Sequence, residues 1–126
     1  MTLFTLDVVD SLIVAEHAVD DQVVVVRDPG LLESAVHRPA AAMFGEEAYP
    51  DLIDKAAALL QSLAVNHPLV DGNKRTAWLS CVTFLAVNGV HLGPDIDAAE
   101  RLVIEVATGE ADDVKLIGER LRALAS

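Results

Sequence analysis

The segment NKRTAWLSCVTFLAVN, residues 73–88, opens with two cations and then becomes apolar on almost every side from residue 79 to 87. A surface helix keeps a polar face, whereas a helix that is apolar all round is surrounded by other elements. Gly89 follows directly, and glycine is the residue that most readily takes the left-handed conformation at a helix C-terminus. We therefore expect a central, fully buried helix over residues 73–88.

Apolar residues also recur at helical spacing before and after this segment. Thr5 is placed to cap the first of these helices, and Asp20-Asp21 is placed to end it. The predicted helices other than 73–88 cover residues 6–19, 29–36, 50–66, 95–108 and 112–125.

Two short stretches interrupt the helical pattern upstream. Residues 23–26 are four consecutive valines, and β-branched residues in a row favour an extended chain, so we predict a small strand or flap there. Asp28-Pro29 then has the pattern of a helix cap followed by proline at the first helical position, and Arg38-Pro39 stops that helix. Residues 40–49 are ambiguous, because Gly45 breaks the pattern while the alanines favour a helical turn.

Length and composition favour helices in one domain. The chain has 126 residues, of which 52% are hydrophobic and only 4% aromatic, so alanine, leucine and valine must fill the core. A chain of this length buries roughly two-thirds of the surface that its unfolded form exposes. We predict an all-α fold, a compact single-domain bundle of about six helices over residues 1–126 with one short β flap.

Charge and cysteine content exclude several classes of function. The formal net charge of −11 repels phosphate backbones, so direct binding of nucleic acid is not expected, although a few local cations can still hold ATP. The single cysteine, Cys81, cannot form an internal disulfide and suits a reducing cytosol. Residues 1–10 lack lysine and arginine, and polar residues interrupt the apolar stretch 76–92. We therefore expect a cytoplasmic protein without a signal peptide or a membrane span.

The segment HPLVDGNKRT, residues 67–76, concentrates most of the chemistry between two apolar helices. Gly72 allows a tight turn and a close approach of the backbone to a ligand. The helix that starts there leaves N–H groups without partners, and these groups and the helix dipole form an anion site. Lys74 and Arg75 in the first turn oppose the dipole unless an anion lies between them and the N–H groups. The segment therefore predicts a nucleotide or phosphate site.

Other side chains of this segment have separate chemical uses. Asp71 is able to hold a Mg²⁺ ion that bridges phosphate oxygens, and the imidazole of His67 is able to take a proton from an attacking hydroxyl. Asn73 fits either a helix cap or a phosphate contact. The P-loop pattern does not apply, because it needs a second glycine and a Ser or Thr after the lysine.

This segment resembles the Fic/Doc motif, whose general form is H-x-F-x-[D/E/N]-x-N-[G/K]-R. Leu69 stands where the motif usually has Phe, an exchange expected to alter packing more than chemistry. Residues 28–36, 49–52 and 84–89 resemble the death-on-curing (Doc) branch of the family, and the resemblance covers residues 5–122. The polar positions of the motif are filled by His67, Asp71, Asn73, Lys74 and Arg75.

Two departures separate this chain from typical Fic enzymes. Fic proteins usually carry Gly where this chain has Lys74, and a second Arg where it has Trp78. In Fic proteins those two residues accommodate the nucleotide for AMP transfer, so the resemblance argues against AMP transfer in that pose. The Doc branch instead implies a protein kinase toxin of a type II toxin-antitoxin system. Such a toxin transfers the γ-phosphate of ATP to a threonine of elongation factor Tu and blocks translation.

The resemblance also implies partners and alternatives. The valine run, residues 23–26, would be the flap that docks the target chain by edge pairing. The sequence contains no [S/T]-x-x-x-E-[G/N] inhibitory motif, so inhibition is expected from a Phd-type antitoxin. A Fic-type AMP or other nucleotidyl transferase and a catalytically silent module that recognises a phosphorylated partner remain open, as does the oligomeric state. The implied roles are general base for His67, Mg²⁺ ligand for Asp71, and phosphate contacts for Gly72, Asn73, Lys74 and Arg75.

Overall fold

The computed structural model describes residues 3–18, 23–93 and 95–125. Within these ranges the regular structure consists of six α-helices, a short 3-10 helix (Arg38–Ala40) and a two-stranded antiparallel sheet, so the predicted all-α class is confirmed. The strands are β1 (Ala42–Met43) and β2 (Glu46–Glu47). The helices are α1 (Val8–Ala18), α2 (Pro29–His37), α3 (Leu52–Asn66), α4 (Asn73–Val87), α5 (Ile96–Thr108) and α6 (Val114–Leu124).

The centre of the bundle is α3, which packs against α2, α4, α5, α6 and the 3-10 helix. Its alanines allow neighbouring helices to approach, and its leucines fill the space between them. Because apolar area removed from water contributes about 25 cal/mol per Å², burial of these side chains stabilises the packing of the helices around α3. Its buried apolar residues are Ala56, Ala57, Ala58, Leu59, Leu60, Leu63 and Ala64.

The fourth helix is less buried than the sequence predicts. One face of α4, which includes Cys81 and Phe84, lies in the shared core. The opposite face does not, since Val87 is 47% exposed and Val82 is only partly buried. The prediction of a fully buried helix is therefore wrong, because Val82 borders a groove between α4 and α5 and Val87 lies at the surface. Burial raises the pKa of the Cys81 thiol to about 12, so this thiol stays protonated.

Most helix ends lie where local signals place them. The Asp28 carboxylate accepts the Leu31 N–H at 3.1 Å and caps α2, and Gly89 follows α4 with a φ of 89°. The first helix is different, because Asp7 and not Thr5 caps it. Asp7 and Asp10 each accept the other's backbone N–H, at 2.8 and 3.1 Å, which is a reciprocal capping arrangement. Its predicted end at Val19 and Asp20-Asp21 lies outside the described residues.

The short β element is not in the valine run. Residues 23–25 form no strand, and Val26 makes only an isolated bridge to Leu69. The sheet is instead a hairpin in which Met43 pairs with Glu46. Its two turn residues, Phe44 and Gly45, have φ values of 53° and 79°, which suits a tight two-residue hairpin turn.

The hairpin is tied to the central helix by a buried cation. Lys55 of α3 is 4% exposed, and its Nζ donates to the Glu47 carboxylate at 3.0 Å and to the Pro39 carbonyl at 3.2 Å. Arg38 adds a second tie, since it donates to the Tyr49 hydroxyl and to the Ser62 hydroxyl of α3. Residues 40–49, which the sequence leaves ambiguous, thus contain the hairpin, and the helical character that the alanines favour is limited to the 3-10 helix that ends at Ala40. No helix in the described ranges has the length and apolar character needed to cross a membrane.

Candidate active site

The loop after α3 begins at His67, whose backbone is left-handed with a φ of 49°. This conformation is uncommon for a residue other than glycine and must be held by its surroundings. The Arg27 guanidinium lies across this helix end, with Nε donating to the His67 carbonyl at 2.7 Å and Nη2 donating to the Asn66 carbonyl at 2.8 Å. The side chain of His67 is exposed, so its imidazole faces the surface from a fixed backbone.

Residues 25–28 brace the same loop along its length. The backbone N–H groups of Arg27 and Asp28 both donate to the Pro68 carbonyl, at 2.8 and 3.0 Å, and the Val70 N–H donates to the Val25 carbonyl at 2.9 Å. The sequence assigned part of this segment to a target-binding flap. In the structure it supports the motif loop, and its backbone groups are directed toward that loop.

The side chain of Asn73 closes the loop from the other end. Its Oδ1 accepts the Leu69 N–H and its Nδ2 donates to the Leu69 carbonyl, both at 2.9 Å. Leu69 itself is 2% exposed and fills a core position, which agrees with the packing role expected for this apolar site. The Asn73 amide thus fixes the loop and does not cap the helix, while its predicted contact with phosphate stays a prediction.

The start of α4 has the open backbone that the sequence predicts. Gly72 is the N-cap residue, with a φ of 80°, and it provides no side chain to cap the helix. The first hydrogen bond of the helix joins the Thr76 N–H to the Gly72 carbonyl at 2.9 Å, so the N–H groups of residues 73–75 precede it. Lys74 and Arg75 are both exposed in this first turn. A concentration of N–H groups and cations at a helix start favours an anion.

These two cations also line a groove between α4 and α5, with a volume of about 650 Å³. The groove was missed in the sequence, because it depends on how α5 packs beside α4. An exposed apolar pair on α5, Ile96 and Ile104, is the one local signal of it. Lining side chains of apolar character are Trp78, Val82, Leu92, Ile96, Ala99, Val103 and Ile104. The other predicted site residues, His67, Asp71, Gly72 and Asn73, lie outside its lining.

Comparison with known proteins identifies the family of this chain. The model of the Fic/DOC family matches residues 6–85, a range that includes the whole motif loop. The chain belongs to the Fic/DOC family. It is 63% identical to Toxin Doc of Mycolicibacterium smegmatis (strain ATCC 700084 / mc(2)155) over 89 residues, which cover 69% of this chain and 68% of that protein. It is 37% identical to Protein kinase doc of Escherichia phage P1 over 97 residues, which cover 77% and 75% of the two chains.

Within this Fic/DOC chain, Asp71 is the carboxylate nearest in sequence to the start of α4. It is exposed, and its Oδ1 accepts the Gly72 N–H at 2.8 Å. The described residues contain no group of three or more His, Cys, Asp or Glu side chains that could hold a metal ion. Mg²⁺ commonly binds one or two carboxylates together with phosphates and water. A single carboxylate such as Asp71 is able to hold such an ion when phosphates and water supply its other ligands.

Proposed function

We propose that this protein is a toxin of a type II toxin-antitoxin system that transfers the γ-phosphate of ATP to a Ser or Thr side chain of elongation factor Tu. The observation that carries the proposal is the open start of α4, where Lys74 and Arg75 flank N–H groups that no side chain caps. The printed names of the two relatives, a toxin and a protein kinase, support both parts of the proposal.

The proposed reaction depends mainly on positioning and charge neutralisation. The ATP phosphates lie against the N–H groups of residues 73–75, where Gly72 permits a close approach and Lys74 and Arg75 offset the negative charge. When bound, Mg²⁺ held by Asp71 and the phosphates supplies further neutralisation. The His67 imidazole accepts the proton of the target hydroxyl while its oxygen bonds to the γ-phosphorus. The bond from that phosphorus to the β–γ bridging oxygen breaks, and ADP leaves.

The alternative is transfer of AMP, as in Fic enzymes with a second arginine in the motif. In this chain that position is Trp78, which lies one turn after Lys74 and lines the groove with it. An indole does not offer the charged donors that hold outer phosphates. The structure therefore favours γ-phosphate transfer over AMP transfer, and labelled ATP separates the two.

A Phd-type antitoxin is the proposed inhibitor. The sequence contains no inhibitory motif of its own, and the groove beside Lys74 and Arg75 is open and mostly apolar. An antitoxin segment with an apolar face would fit this groove and would obstruct the phosphate site at its end. A cytoplasmic location follows from a target that acts in translation.

The test incubates the purified protein with Mg-ATP labelled on either the α- or the γ-phosphate and with elongation factor Tu. Label transferred from the γ-phosphate supports the kinase, and label from the α-phosphate supports AMP transfer instead. No transfer of either label contradicts both activities. Growth inhibition that survives a His67→Asn exchange would favour the third possibility, a silent phosphate-binding module.

A further inference from the structure

The end of α3 depends on a residue from a distant part of the chain. This helix has no basic residue in its last turn, and its C-cap is His67, where many helices have glycine. Arg27 lies forty positions earlier, and its guanidinium reaches the carbonyls of both Asn66 and His67. The fork geometry matters, because Nε and Nη2 each have a separate carbonyl as partner.

The backbone that carries Arg27 is itself fixed on two sides. Its N–H donates to the Pro68 carbonyl at 2.8 Å, which joins it to the motif loop. The next residue, Asp28, donates to the same carbonyl and also caps α2 through the Leu31 N–H. Arg27 therefore connects the capped start of α2 to the backbone of His67.

We propose that Arg27 is a positioning residue for His67, a role that rests on the proposed function because it takes His67 as the base. The guanidinium holds the left-handed backbone of His67, and thereby the direction in which the imidazole leaves the chain. Lysine has one point charge and no rigid fork, so it cannot hold two successive carbonyls in the same way.

The proposal predicts a change in kcat without a change in the KM for Mg-ATP. A base displaced by an ångström can lose on the order of 100-fold in rate, so we expect Arg27→Gln to lower kcat by about 10- to 100-fold. The KM for ATP stays the same, because the proposed phosphate contacts at residues 72–75 are untouched. Arg27→Lys should recover only part of the rate.

The experiment measures phosphate transfer to elongation factor Tu by the wild-type protein and by the Arg27→Gln and Arg27→Lys variants. Arg101→Gln is the matched control, since it removes an exposed arginine of α5 that does not line the groove. Thermal unfolding verifies that each variant is folded. A second readout needs no substrate: the ring signal of His67 in NMR spectra of histidine-labelled protein, assigned by its loss in His67→Asn.

The two readouts separate the two claims. A displaced or split His67 ring signal in Arg27→Gln, with the signals of His17 and His37 unchanged, supports positioning even when no transfer to elongation factor Tu is detected. If the ring signal changes but no transfer is detected, the proposed function is wrong and the positioning role is still supported. An unchanged ring signal with an unchanged kcat overturns the positioning role. A raised KM with an unchanged kcat also overturns it, because Arg27 would then bind substrate.

Discussion

One loop joins the C-terminal end of α3 to the N-terminal end of α4, but the terminal backbone groups of the two helices differ in their hydrogen-bond partners. At the end of α3, the carbonyls of Asn66 and His67 are bonded to a guanidinium of the protein. At the start of α4, Gly72 provides no capping side chain, and the first turn carries Lys74 and Arg75. The first end is fixed by internal partners, and the second end is open to an anion. The fixed end suits the proposed role of His67 as a base, and the open end suits the proposed nucleotide site.

The largest expected effect is at the fixed end. Replacing His67 with Asn removes the proposed base but keeps a residue type that tolerates the left-handed backbone. We expect the rate of phosphate transfer to fall by about 10²- to 10⁴-fold, since a positioned base contributes that much. The free energy of unfolding should stay the same. Single-turnover transfer and denaturant unfolding measure the two quantities.

His67→Ala is the matched comparison for this exchange. It removes the same imidazole but places a residue that tolerates a positive φ less well, so it should lose both activity and stability. Full activity in both variants would show that His67 does not act in the reaction. The fixed C-terminal end of α3 would then have only a structural role.

The second prediction concerns the open end. A hydrogen bond to a charged group contributes about 1.5–3 kcal/mol, so Lys74→Gln should weaken binding of Mg-ATP by roughly 10- to 100-fold. The free protein should gain roughly 0.3 kcal/mol of stability, because a cation in the first turn opposes the helix dipole. Calorimetric titration and thermal unfolding measure these opposite changes.

Lys115→Gln provides the matched control for Lys74→Gln. Lys115 is exposed at the second position of α6, as Lys74 is at the second position of α4, but it does not line the groove. We expect its ATP affinity to equal that of the wild type. Equal losses of affinity in both variants would mean that the effect comes from net charge and not from the open helix start.

The third prediction concerns Asn73, which belongs to the start of α4 but holds the loop from inside. Its exchange for Ala leaves the N–H of the buried Leu69 without a partner, which costs about 1–3 kcal/mol of stability. If its side chain only fixes the loop, the affinity for ATP changes much less than in Lys74→Gln. A loss of affinity as large as that of Lys74→Gln, with unchanged stability, would make Asn73 a phosphate ligand first.

The smallest effect is expected at the other end of α3. Partial burial raises the pKa of Asp51, but the N–H groups of Ile53 and Asp54 and the charge of Arg122 outweigh it and hold that pKa below its usual value. The stabilisation is therefore present at neutral pH and is lost as the pH falls through the lowered pKa. Asp51→Asn keeps a capping oxygen but loses the charge that faces the helix N-terminus and Arg122, so it should cost about 0.3–1 kcal/mol at pH 7, measured by urea unfolding.

The pH dependence makes this prediction specific. The stability difference between the wild type and Asp51→Asn should begin to shrink below about pH 4, where the unfolded state takes up the proton first, and should disappear below the lowered pKa of the folded state. Glu119→Gln, an exposed change on α6, is the control and should show little difference at any pH. A difference that grows on acidification would contradict the sign of the Asp51 shift.

Features that depend on neighbouring residues could be predicted from the sequence, whereas contacts between distant residues could not. The helices, the Asp28 cap and the open start of α4 depend on neighbours along the chain, and they lie where predicted. Thr5 does not cap α1, because Asp7 and Asp10 form a reciprocal cap two residues later, which is also a local pattern of the sequence. The hairpin was missed because its turn begins with Phe44, a residue that rarely takes a positive φ.

The residues that hold the candidate site in place could not be predicted from the sequence. Arg27 meets the end of α3 across forty positions, and no periodicity or motif marks that pairing. The groove likewise forms only when α5 packs beside α4, since Ile96 and Val82 belong to helices that are predicted separately. Motifs identify side chains, whereas the partners that hold them depend on tertiary packing.

The most direct test of the two helix ends is an NMR titration of the ¹⁵N-labelled protein with Mg-ATP. We expect the backbone N–H signals of residues 73–75 to shift most, because the proposed phosphate contacts are there, and those of residues 65–66 to shift little. Adenosine, which lacks phosphates, should leave the signals of residues 73–75 in place. If saturating Mg-ATP causes no shift at residues 73–75, the start of α4 is not the nucleotide site.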